Sequence, residues 1–241
     1  LRCLVGSEMC IRDRAQSGSF LTSGLDILQD SLLLVSGHFR DSLVYGTNTL
    51  TNFGANKSGI FTKAVSATTG NTVWANYTGP RDLALQGFVI DVVKSVDTDT
   101  AGNSFILGFF ADTIGFDTVE LINQGSLGYF LLKYGPNGNL LDAISLSAAP
   151  FMLLYDIHIT DCGSVYLSGG VMGTSLFVGD TSYHDSTLAD DLFTTTSAVV
   201  IKLGTGFNLE WIGKYKLQGI SAFRTLVLSL IHISEPTRHR R

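Results

Sequence analysis

Three times in this 241-residue chain a short apolar run closes on a lysine, turns, and gives way to a second strand-like run. The lysines are Lys63, Lys133 and Lys202, and the runs read GIFTK, YFLLK and AVVIK. Upstream of each, SLLLVSGHF from Ser31, NSFILGFF from Asn103 and SVYLSGGV from Ser164 align on Gly37, Gly108 and Gly169. LQGISAF from Leu217 echoes LQGFVID from Leu85 and starts a fourth copy. No other feature restricts the fold as much, because a repeated unit of this size hides its apolar surface only against its own copies.

Each copy holds four short runs rich in β-branched and aromatic residues and bounded by Gly, Asn, Asp and Pro, a strand pattern. In the second copy the predicted strands are Ile90 to Asp97, Asn103 to Phe110, Tyr129 to Tyr134 and Leu140 to Leu146. Gly135-Pro136-Asn137-Gly138 separates the last two. Proline fixes one φ there and Asn-Gly accepts positive φ, so a tight reversal between antiparallel neighbours is predicted. The stretches TIGFDTVELINQGS and GTSLFVGDTSYHDSTLADDLFTTT between second and third strands differ in length and read as loops. Sustained helical periodicity is missing. Ala148 to Leu154 is the most helix-like patch, but Pro150 in its middle makes it a connecting segment.

A four-stranded antiparallel sheet cannot cover both of its faces, so the copies are expected to stack face to face. Radial stacking gives an all-β fold, a partial β-propeller of about three four-stranded antiparallel blades from a larger ring. The repeats span residues 20–80, 86–148 and 153–216, with the start of a fourth at 217–227. A linear solenoid would have shorter repeats, and a string of sandwiches longer and less similar ones.

The two ends read differently. LSLIHISEPTR, Leu228 to Arg238, and LVGSEMCIRDR, Leu4 to Arg14, are encoded by one short nucleotide string read on opposite strands, which resembles a transposon-type sequencing adapter left in an assembled read. Residues 1–14 and 228–241 are therefore expected to be scars, and 15–227 a fragment. The apolar run Leu226 to Ile233 is too short to span a bilayer.

With 16 Lys+Arg against 21 Asp+Glu and a net charge of −5, the chain is poorly suited to bind a phosphate backbone. No nucleic-acid partner is expected. Outside the scars Cys162 is a lone thiol, expected to be a small apolar side chain buried in a strand. His38, His158 and His184 have no His or Cys at metal-ligand spacing and are expected to be structural. No G-x-S-x-G elbow or phosphate loop occurs. The weak metal candidates are Asp97 and Asp99, since DTDTAGN from Asp97 matches the front of a calcium loop. The match fails at Ala101 and at Gly108, where a bidentate Glu would stand. The plainer reading is a turn whose carboxylates cap backbone N–H groups. Asp190-Asp191 is an acidic loop pair. Trp74 and Trp211 hold equivalent places, pointing first to packing between repeats and second to sugar stacking. Asn56-Lys57-Ser58 and Asn76-Tyr77-Thr78 fit the glycosylation sequon.

The order DTAGNSFILG, Phe53-Gly54 or Gly115-Phe116, an apolar run closed by lysine, then Gly-Asn and a tryptophan, resembles the SBBP repeat, a β-propeller repeat of secreted and cell-surface proteins, mostly bacterial. The second copy departs by having Asp142-Ala143 at the tryptophan position, and the first by lacking the Asp-x-x-Gly-Asn turn. The resemblance implies a non-catalytic extracellular or cell-envelope module with a protein or glycan ligand, completed by further blades of a parent chain. ATTGNTVW at Ala67 to Trp74 also resembles the turn of quinoprotein propellers, which keeps open an alternative as part of a quinone-dependent or glycan-processing enzyme. No catalytic residue and no cofactor is assigned, with calcium as the one ion to test.

Overall fold

The computed structural model describes residues 14–15, 20–28, 31–40, 43–45, 48–50, 57–78, 81–82, 92–111, 113–125, 127–184 and 197–215. Among them every regular element is a strand, and every pairing between strands is antiparallel. The strands are β1 (Arg14–Ala15), β2 (Phe20–Leu28), β3 (Leu32–Arg40), β4 (Leu43–Tyr45), β5 (Asn48–Leu50), β6 (Lys57–Ser66), β7 (Thr72–Tyr77) and β8 (Arg81–Asp82). They continue as β9 (Val92–Thr98), β10 (Ser104–Phe110), β11 (Thr113–Phe116), β12 (Val119–Ile122), β13 (Gly128–Tyr134) and β14 (Leu140–Ile159). The last are β15 (Val165–Val178), β16 (Thr181–His184), β17 (Ser197–Leu203) and β18 (Leu209–Tyr215).

A four-strand meander recurs. The first runs β2-β3-β6-β7, with β8 on β6 and a separate β1-β4-β5 sheet. The second runs β9-β10-β13-β14, and the third β14-β15-β17-β18 with β16 on β15. The second and third meanders share β14, so their strands form one eight-stranded sheet. The sequence places the end of that strand at Leu146 and a connector over Ala148 to Leu154. Instead the backbone stays extended for 20 residues. Pro150 is accommodated because the ladder slips between Ala149 and Pro150, where a missing N–H costs no regular bond. The stretch TIGFDTVELINQGS also differs from its loop reading, since β11 and β12 pair there as a hairpin.

Two irregularities repeat at matching positions. Between first and second strands the ladder slips at Thr22/Gly24, at Leu107/Gly108 and at Leu154/Asp156. The bulged residues are Ser23, Lys94 and Tyr155, and Gly37, Gly108 and Gly169 lie at the slips. A β-carbon on Gly108 would run into the Phe130 ring and the Val92 carbonyl, and one on Gly169 into the Leu153 carbonyl. Strands that approach this closely at a bulge need glycine, which gives Gly108 and Gly169 their physical cause. Between third and fourth strands the ladder slips after Ala64, Lys133 and Lys202, bulging Val73, Leu141 and Glu210.

That second bulge corrects the alignment on lysine. Lys133 and Lys202 share a register position, opposite Asp142 and Trp211, but the first meander has Ala64 there, opposite Trp74. Lys63 is one residue earlier. Because side chains alternate, a one-residue offset puts Lys63 on the opposite face of its sheet. Its position corresponds to Leu132 and Ile201, and burial holds its ammonium below the ordinary lysine pKa.

The core has two layers, one on each side of the middle meander. Phe105, Leu107, Tyr129 and Leu131 face the third meander, packing with Leu154, Ile157, Val165, Leu167, Val199, Ile201 and Phe207. The alternate residues Ile106, Phe110, Phe130, Leu132 and Tyr134 face the first, packing with Leu28, Leu34, Ile60, Ala64 and Trp74. This explains why SFILGFF and GYFLLKY are apolar runs and not alternating ones, since both of their faces are covered. Each fully buried Leu, Ile or Phe in these layers contributes roughly 1.5–3 kcal/mol.

Candidate functional site

One set of polar side chains converges along the first strands of the three meanders. Asp26 on β2, Asp97 on β9 and His158 on β14 each stand eleven residues before the repeated glycine, so stacking sets them in a row. Thr98 Oγ1 donates to Asp26 Oδ2 at 2.9 Å and lies 3.1 Å from the Ile27 carbonyl. One repeat on, the Ile159 N–H donates to Asp97 Oδ2 at 2.6 Å, and His158 Nδ1 lies 3.4 Å from the same oxygen. Ser95 Oγ donates to Asp156 Oδ1 at 2.7 Å, crossing the same boundary in the other direction. Asp97 Oδ1 also accepts the Thr98 N–H at 2.8 Å.

Burial raises the Asp97 carboxyl above the ordinary 3.8, against the lowering effect of the Ile159 and Thr98 N–H groups and of His158, while Asp26 adds to the rise. A carboxylate with this many donors works as an acceptor that ties one first strand to the next. Asp99 is occupied separately. It closes the β9–β10 turn, with Oδ1 accepting the Asn103 N–H at 2.8 Å and Oδ2 accepting Asn103 Nδ2 at 2.7 Å. Asp97 and Asp99 thus serve a boundary between repeats and a turn. Among the described residues no three His, Cys, Asp or Glu side chains stand together as a metal group.

The same hydrogen bonds bear on acid–base chemistry. Ser95 donates its hydroxyl proton to the Asp156 carboxylate, a contact that ties two first strands together. Ser175 Oγ and His184 Nδ1 are 3.3 Å apart on the exposed β15–β16 hairpin. Cys162 is exposed in the β14–β15 turn and not buried in a strand, because Thr160 and Gly163 close a reversal there. Asp190-Asp191 and Asn56 lie outside the described residues.

The two tryptophans share a register position but not an environment. Trp74 is buried: its Nε1 donates to the Pro136 carbonyl at 3.0 Å and its ring lies 6.0 Å from that of Tyr134. Asn76 Nδ2 reaches the Gly138 carbonyl at 2.5 Å, so the Asn76 sequon amide is engaged between repeats. Trp211 is 44 % exposed, with its ring 5.9 Å from Tyr166 beside the 2.7 Å Lys202–Glu210 ion pair.

The sequence reading missed a reciprocal exchange at this position. Gly138 and Phe207 occupy the same place in their turns, both at positive φ (80° and 59°). Opposite Trp74 the next repeat's turn carries Gly138. Where the second meander has Asp142 in place of tryptophan, the third repeat's turn carries Phe207, whose ring fills the core 6.3 Å from Phe105. Trp74 paired with Gly138, and Asp142 with Phe207, was the signal available in the sequence.

No helix among the described residues is long and apolar enough to cross a membrane. Compared with protein-family models the chain matches none, and compared with curated proteins it matches none.

Proposed function

We propose that the chain is a non-catalytic binding or structural module made of SBBP-type propeller repeats, acting outside the cell or on its envelope as part of a larger ring. The observation that carries this reading is the middle meander, apolar on both faces and covered by a neighbour on each. A repeat with two covered faces belongs inside a series. The recurring bulge pairs support the same reading, because they are the marks of one unit copied.

The role as a scaffold or binder rests on what the polar groups do. Asp26, Asp97, Asp156, Ser95 and Thr98 join neighbouring first strands, which leaves them little capacity to act on a substrate. The ligand class is protein or glycan, since the acidic charge disfavours nucleic acid. The full chain should bind immobilised envelope polysaccharides or surface-protein extracts, and in parallel should leave a quinone-linked dye and chromogenic glycosides unchanged. Turnover abolished by Asp97→Asn would overturn the reading. Absence of binding would confine the role to scaffolding.

A further inference from the structure

The chain holds one Asn-Gly step, Asn137-Gly138, and it falls in the turn that the neighbouring repeat grips. The matching turns of the first and third repeats have Thr69-Gly70 and Gly206-Phe207 there. Asn-Gly is chemically labile, because glycine has no β-carbon to keep its backbone nitrogen away from the asparagine side chain. When the Gly138 nitrogen attacks Asn137 Cγ, the N–Cγ bond forms and the Cγ–Nδ2 bond breaks. The amide proton leaves with Nδ2 as ammonia, and water then opens the five-membered imide to aspartate or isoaspartate. The Asn137 side chain is exposed, so water is at hand.

The fold holds Gly138 away from that reaction. Its N–H donates to the Gly135 carbonyl at 2.9 Å, and its carbonyl accepts Asn76 Nδ2 at 2.5 Å. Trp74 Nε1 donates at 3.0 Å to the Pro136 carbonyl, on the peptide just before Asn137. The indole covers the remaining side, where a β-carbon on Gly138 would meet Cδ2 at 2.6 Å. Ring closure needs the Gly138 nitrogen to release the Gly135 carbonyl and swing onto the Asn137 side chain. The residue cannot turn while Asn76 holds its carbonyl and the indole lies across its Cα.

We infer that Asn137 is a spontaneous deamidation site gated by the boundary between the first and second repeats. It keeps its amide while Trp74 and Asn76 clamp Gly138, and loses it when that boundary opens locally. The product alters the boundary in turn. Isoaspartate adds a methylene to the backbone before Gly138, so the turn no longer offers the Pro136 and Gly138 carbonyls at the spacing that Trp74 and Asn76 fit. Either product also adds a negative charge. An opening that goes on to reaction thus leaves a permanent mark on the turn. The inference stands on contacts between adjacent repeats and is independent of any ligand.

The test follows the Asn137 amide in the full chain at mildly alkaline pH, by peptide mass mapping and by enzymatic methylation of isoaspartate. The free peptide YGPNGNL, Tyr134 to Leu140, is the unclamped reference. The unaltered chain should convert about a hundredfold or more slowly than the peptide. Asn76→Ala and Trp74→Phe each remove one hydrogen bond of the clamp and should convert about three- to tenfold faster than the unaltered chain. Leu167→Ala lowers stability in the core of the third repeat, leaves the clamp in place, and should keep the rate of the unaltered chain. That variant separates opening of this boundary from general unfolding. An unaltered chain that converts as fast as the peptide, clamp variants that convert no faster, or Leu167→Ala converting as fast as Asn76→Ala would each overturn the inference.

Discussion

The indole of Trp74 lies across Gly138 so closely that a β-carbon on the glycine would be 2.6 Å from the ring. One side chain thereby fastens two repeats, through ring packing and through the 3.0 Å bond to the Pro136 carbonyl. Trp74→Ala should cost about 3–5 kcal/mol, since it removes a large buried side chain from a layer that cannot fully collapse. Trp74→Phe keeps most of the packing, loses the bond and should cost about 1–2 kcal/mol. Urea unfolding curves would measure both, and equal costs would mean that the indole N–H contributes most of the stability.

Gly108 gives a sharper case. Its Cα faces the Phe130 ring and the Val92 carbonyl at the repeated bulge. Gly108→Ala should destabilise by about 3 kcal/mol, because backbone is among the atoms that must move. Gly115, on an exposed hairpin with nothing within 4 Å of its would-be β-carbon, should accept alanine with a change under about 0.5 kcal/mol. Thermal melts of the pair would separate a steric effect from the general loss of a glycine.

These two positions also show how far the sequence could be read. Gly108 and Gly169 were legible because a close approach at the bulge admits one residue type, and that constraint survives as a letter; Gly37 holds the same register position. The lysines misled for Lys63, because alternation in a strand is blind to a one-residue bulge that turns a side chain to the other face. β14 was cut too early, since Pro150 breaks a ladder only where its N–H is required. Among candidate site residues, Asp97 and Asp99 stood out as carboxylates near a glycine. That pattern is common to calcium loops and to capped turns, and a linear motif cannot show that Ile159 donates to one and Asn103 to the other. The contacts joining Asp26, Asp97 and His158 depend on stacking between distant repeats, which leaves no local trace.

Asp99 separates the two meanings of that motif. Asp99→Ala removes two acceptor contacts from the β9–β10 turn and should cost about 1–2 kcal/mol. The cost should be the same in chelator and in millimolar calcium. Melting temperatures in both buffers give the answer: a calcium-dependent gap between the unaltered chain and the variant would make Asp99 a ligand and not a cap.

Asp97 makes stability depend on pH in a definite direction. Burial raises its carboxyl above 3.8 in the folded chain, so the folded state holds the proton more tightly than the unfolded one. The stability linked to that proton is complete below 3.8 and is lost as pH rises through the folded-state pKa. Asp97→Asn cannot ionise and keeps an oxygen to accept the Ile159 N–H. The stability of the variant relative to the unaltered chain should therefore increase as pH is raised from about 3.5 to 6, with the other carboxylates cancelling in the comparison. Urea midpoints taken across that range test the sign. A relative loss for Asn as pH rises would mean that the two N–H donors and His158 stabilise the anion by more than burial penalises it, and would make the Asp97–His158 contact the stronger tie between the second and third repeats.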